Sequence, residues 1–76
     1  MRMVRIFEIE TERKELVNGF VRGILFRDDM AGVILGDGKF IVAVSGQAAL
    51  AAMRKMLEFH FGEDITYDID GYDNRE

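Results

Sequence analysis

The chain lacks cysteine, proline and tryptophan, and has a single histidine among its 76 residues. Without cysteine there can be no disulfide, and the usual Cys/His zinc frameworks are excluded as well. Cysteine-free composition also fits a reducing compartment. No apolar run approaches the ~18 residues of a membrane-spanning helix. The opening Met1-Arg2-Met3-Val4-Arg5 is too charged for a secretory leader and runs into no long apolar segment. The expectation is a soluble, cytoplasmic protein. Internal repeats and low-complexity tracts are missing too, so residues 1–76 read as one compact α+β domain. A domain this small buries only about 60% of its unfolded surface and is marginal on its own. With disulfides and zinc excluded, oligomerisation is the remaining common support.

Clustered Lys and Arg are also missing. Net charge is −4, and residues 1–39 balance seven basic against seven acidic side chains. The acidic excess lies entirely in residues 40–76, with three basic and seven acidic side chains. Phosphate binding needs clustered positive charge, so a nucleic-acid partner is disfavoured. A basic protein surface suits the acidic end better, although such charge also serves plain solubility.

The most informative stretch runs from Met30 to Val44. Val33-Ile34-Leu35 and Phe40-Ile41-Val42-Ala43-Val44 flank Gly36-Asp37-Gly38, and Asp-Gly between apolar runs signals a tight hairpin. Side chains alternate across a strand, so an uninterrupted apolar run is apolar on both sheet faces. Helices in so small a domain can cover only one of them. Ile41 and Ala43 are therefore expected on a face that a partner or second copy would cover.

Residues 3–9, 30–35, 39–44 and 64–70 read as strands. In the last, Ile65, Tyr67 and Ile69 should face the core and Thr66, Asp68 and Asp70 face water. Ser45 is the expected N-cap of a helix from Gly46 to about Phe61, with Gly62 as its stop. Residues 71–76 are expected to be a frayed acidic tail. Segment 11–28 reads as a helix capped by Thr11, because Leu16, Val17, Phe20, Val21, Ile24 and Leu25 share one face. Gly19, Gly23 and the Asn18-Gly19 pair oppose that reading, as does Asp28-Asp29 at a helix C-terminus. With the helix, the chain is a ferredoxin-like βαββαβ fold, a two-layer antiparallel sheet with helices on one face. The alternatives are strands at 13–17 and 20–27, which make a β-meander covered by one main helix over 46–61 and followed by a final strand, or a short helix over 12–18 stopped by Gly19.

No motif carries chemistry. His60 falls near Met53, Met56 and Leu57 on a helical wheel and is explained as a packed or capping imidazole. The acidic stretch Asp68–Asp73 resembles a calcium loop until its register is set on Gly71, which leaves no twelfth-position Glu. Gly36-Asp37-Gly38 lacks the spacing of a phosphate loop. Gly19-x-x-x-Gly23 suggests close helix packing. Catalytic, cofactor and metal residues are accordingly expected to be none, and the protein is read as not an enzyme. Two surfaces remain as partner-binding candidates. Phe59 with Ala52 and Lys55 forms one flank of the second helix. Asp68 and Asp70, roughly 6.6 Å apart along a strand, form a carboxylate row.

These features suggest a small interaction or regulatory module, self-associating or binding a partner protein through an apolar sheet face or helix flank. An inhibitor or adaptor of phage or mobile-element type is one form of it. A ligand-sensing βαββαβ domain that binds a metabolite at a dimer interface is the alternative, resting on analogy of fold alone.

Overall fold

The computed structural model describes residues 3–73. In chain order these form β1 (Met3–Thr11), α1 (Lys14–Ile24), β2 (Met30–Gly36), β3 (Lys39–Ser45), α2 (Gln47–Phe61) and β4 (Ile65–Asp73). The strands make one antiparallel sheet in the order β2-β3-β1-β4. This is the ferredoxin-like βαββαβ arrangement, with β1 and β3 central and the meander alternative not adopted.

Alternation fixes the two faces. On β1, Phe7, Ile9 and Thr11 are buried, whereas Glu8 and Glu10 are exposed. On β3, Phe40, Val42 and Val44 are buried between less covered neighbours. The register aligns Phe7 with Val42 and Ile69, and Ile9 with Phe40 and Tyr67, so these side chains share the helix-covered face. Tyr67 and Ile69 thus take the expected side, and the Tyr67 ring lies 5.5 Å from that of Phe7. Helix α1 contributes Val17, Phe20, Val21 and Ile24, and α2 contributes Ala49, Met53, Leu57 and Phe61. Phe20, Phe40 and Phe61 meet at the centre with ring centroids 5.3–6.0 Å apart, tying both helices to β3.

Several boundaries differ from the sequence expectation. Helix α1 covers only Lys14–Ile24 of the expected 11–28. Thr11 ends β1 instead of capping α1: its hydroxyl donates to the Asp64 carbonyl at 2.6 Å and accepts from the Arg13 N–H at 3.0 Å. Leu25, expected on the apolar face, lies beyond the helix and is exposed. Asp28-Asp29 falls in the following turn, so its conflict with the helix dipole never arises. Ser45 is not a cap either. It closes β3, and Gly46 (φ 96°) makes the turn into α2. Gly62, with positive φ, ends α2 as expected. The hairpin forms as read, with Asp37 and Gly38 both at positive φ as a type I′ turn requires. Residues 71–73, expected in the tail, belong to β4; 74–76 lie outside the described residues.

Gly19 and Gly23 lie within α1, and a Cβ at either would meet nothing within 4 Å. Each costs about 1 kcal/mol of helix stability relative to Ala. Gly19→Ala and Gly23→Ala should therefore each raise the melting temperature by roughly 4–8 °C, read by thermal denaturation.

Candidate functional site

The face of the sheet opposite the helices carries the candidate site. On β2, Val33 and Leu35 are 54% and 59% exposed. Val33 pairs with Ile41 and Ala31 with Ala43 on β3, and Ala43 pairs in turn with Ile6 on β1. Ile6, Ile41 and Ala43 are half-buried, and with exposed Ala31, Val33 and Leu35 they make a partly covered apolar strip on the helix-free face. Its cause lies in the composition of β2 and β3, which have apolar side chains at outward as well as inward positions.

Beyond the strip the face turns acidic. Glu8 stands between Ile41 on β3 and Asp68 on β4, and Glu10 between Lys39 and Thr66. Like charges directly opposite each other destabilise a sheet, and Glu8 and Asp68 are such a pair. Glu10 and Lys39 are of opposite sign and favour their register. These groups and Leu35 border a shallow depression of about 460 Å³. Among the described residues, no group of three or more His, Asp or Glu is arranged to hold a metal ion.

Asp68 is thus where the sequence placed it, exposed on this face. Asp70 is in register with Ile6, and its side chain lies outside the described residues. Sequence reasoning placed the run holding Val33 and Leu35 on both faces without singling either out, and missed Glu8 as a member of the face. The phase of β1, with Phe7 and Ile9 inward, would have pointed to Glu8, but its pairing with Asp68 comes only from the register.

The helix flank is less coherent. Phe59 is 84% exposed and Lys55 is exposed, but Ala52 is partly buried against the core. His60 stands in the last turn of α2 as read, but not on the buried side. It is exposed, with its ring 5.5 Å from Phe20 and 5.1 Å from Phe59. A groove between the helices, lined by Leu16, Gly19, Phe20, Gly23, Met56 and His60, opens that position to solvent. No side chain fills it at Gly19 and Gly23.

No protein family, characterised protein or solved structure matches this chain. What the face can do follows from its geometry. An uncharged strip beside a carboxylate-rich half suits a surface that is apolar in the middle and basic at one side. Carboxyl pKa values depart from the ordinary away from this face. A hydrogen bond from Arg13 lowers that of Glu15, and one from Arg27 lowers that of Asp29. Both carboxylates belong to exposed ion pairs, one at the start of α1 and one in the connection from α1 to β2, at 2.7 and 3.1 Å. Any stability they add is present above the unfolded carboxyl pKa and fades as pH falls through the lowered values. No helix among the described residues is long and apolar enough to cross a membrane.

Proposed function

We propose that this chain is a non-enzymatic interaction module that binds a partner protein through the open face of its sheet. The partner presents an apolar strip bordered by Lys or Arg. The observation that carries this reading is the exposure of Val33 and Leu35, with half-buried Ile41 between them and Glu8 and Asp68. Exposed apolar area rimmed by polar residues marks interaction sites more often than scattered single side chains do. Such docking suits a small acidic inhibitor or adaptor of the cytoplasm, of the kind phages and mobile elements encode.

The test is recovery of partner proteins from native cell extract by the tagged chain, quantified by mass spectrometry. Ile41→Glu puts a charge in the strip and should lower recovery at least about tenfold, equivalent to 1.4 kcal/mol. Glu8→Lys with Asp68→Lys should weaken the salt dependence of binding, since rim charges act mainly on encounter. Phe59→Ala should leave recovery unchanged and stability within about 0.5 kcal/mol. Equal recovery by wild type and a folded Ile41→Glu variant would show that the face is not the binding surface. Stabilisation by amino acids or nucleotides in a thermal-shift assay would instead favour the ligand-sensing module.

A further inference from the structure

The sheet has two edges, and they are chemically unlike. Strand β4 carries Asp68, Asp70 and Asp73 in its sequence. Strand β2, Met-Ala-Gly-Val-Ile-Leu-Gly, has no charged residue and no proline. Soluble proteins blunt exposed edges with charge, proline, bulges or a covering element, because unpaired backbone groups template further pairing. In β2 the only such device is a register shift between Ile34 and Gly36, at the turn end of the strand. The exposed grease gathers at the same place. Five of the seven large apolar side chains exposed among the described residues (Leu25, Phe26, Val33, Ile34 and Leu35) lie in β2 or the connection leading into it.

The backbone of this edge is available. The Ser45 N–H donates to the Asp29 carbonyl at 2.9 Å, which sets the parity of the β2–β3 ladder. Antiparallel bonding alternates, so Ala31 and Val33 bond inward to β3. Met30, Gly32 and Ile34 then turn their N–H and C=O groups outward.

We propose that β2 pairs antiparallel with β2 of a second copy across a two-fold axis, joining two four-stranded sheets into one. Charge selects this occupant and this geometry. Pairing β4 with itself would bring its aspartates together. Stacking two open faces over their full width would set Glu8, Glu10 and Asp68 against their own copies or against Val33 and Ile41. Joining at β2 instead keeps the two β1 strands about five strand spacings, ~24 Å, apart. That exceeds the screening length of roughly 8–10 Å. The strand is also self-complementary. Centred on Gly32, the pairing sets Met30 against Ile34 of the second copy and Ala31 against Val33, apolar to apolar on both faces. Each outward-facing pair would exchange two N–H···O bonds. This edge pairing does not depend on the face-binding reading, and it leaves the open face free, with the apolar strips of both copies side by side.

Sedimentation equilibrium of the full chain tests it. Wild type should show twice the 8.7 kDa chain mass. Ile34→Pro removes an outward N–H while leaving the bonds to β3, and should halve the observed mass. Ile34→Lys, which keeps the backbone and sets a charge against the apolar Met30 of the second copy, should do the same and decides the matter if the proline variant fails to fold. The double variant Ala31→Cys with Val33→Cys, in a chain without native cysteine, should give a covalent dimer under oxidation, because facing Cα atoms of such pairs lie about 4.5 Å apart. Ile41→Glu, on the face and away from the edge, should keep the dimer. A wild-type mass of 8.7 kDa at every soluble concentration would overturn the proposal. So would folded Ile34 variants that dimerise like wild type, or loss of the dimer in Ile41→Glu alone. In each of those outcomes the face-binding reading still stands or falls on partner recovery.

Discussion

Replacing Phe40 with Ala should lower the unfolding free energy by about 3–5 kcal/mol, the range for removing a buried phenyl ring. Phe40 is fully buried at the middle of the sheet, and its ring meets Phe20 of α1 and Phe61 of α2. No neighbour can easily collapse into the space, because the two contacting rings are held by different helices. Native domains are stable by roughly 0.05–0.15 kcal/mol per residue. A chain of 76 residues therefore has on the order of 4–11 kcal/mol in all. The loss is thus a large share of the total, and the melting temperature should fall by more than about 10 °C. Urea denaturation followed by far-UV circular dichroism measures it. A loss below about 1 kcal/mol would mean that the aromatic cluster is not the centre of the core.

Gly38→Ala should be nearly as damaging, for a different reason. Gly38 sits at φ 78° in the β2–β3 turn, and its carbonyl accepts the Thr11 N–H at 2.9 Å. A Cβ there would overlap the Thr11 carbonyl oxygen, a backbone atom at the end of a central strand. The chain would have to break the Thr11–Gly38 contact or distort the turn, so a loss of about 2–4 kcal/mol is expected. Gly36→Ala is the matching control. Gly36 also has positive φ (108°), but a Cβ there meets nothing within 4 Å. Only the conformational penalty applies, about 1–2 kcal/mol. If the two variants unfold at the same denaturant concentration, the steric account of Gly38 is wrong.

Elements whose signals are local were legible in the sequence. The Asp37-Gly38 turn, the two apolar strands beside it and the α2 stop at Gly62 all follow from backbone preference and composition. What was hidden depends on partners distant in the chain. Thr11 has the chemistry of a helix cap, but its hydroxyl is taken by the Asp64 carbonyl, 53 residues away. His60 falls on the inner side of a helical wheel, yet the gap at Gly19 and Gly23 on the other helix leaves it wet. The candidate face shows the same division. Its apolar strip could be inferred from the runs in β2 and β3. The pairing that makes its acidic half could not, because the sequence shows Asp68 two residues from Asp70, whereas the register sets it against Glu8.

In the ladder, Met3 stands across from Asp73 on neighbouring strands. Both ends of the described chain therefore lie on the β1–β4 side of the sheet, two and three strand positions from the β2 margin. As ladder partners, Met3 and Asp73 are close enough for a short linker to join β1 to β4, and the connection around Phe26 (89% exposed) offers a place to open the chain without cutting a strand.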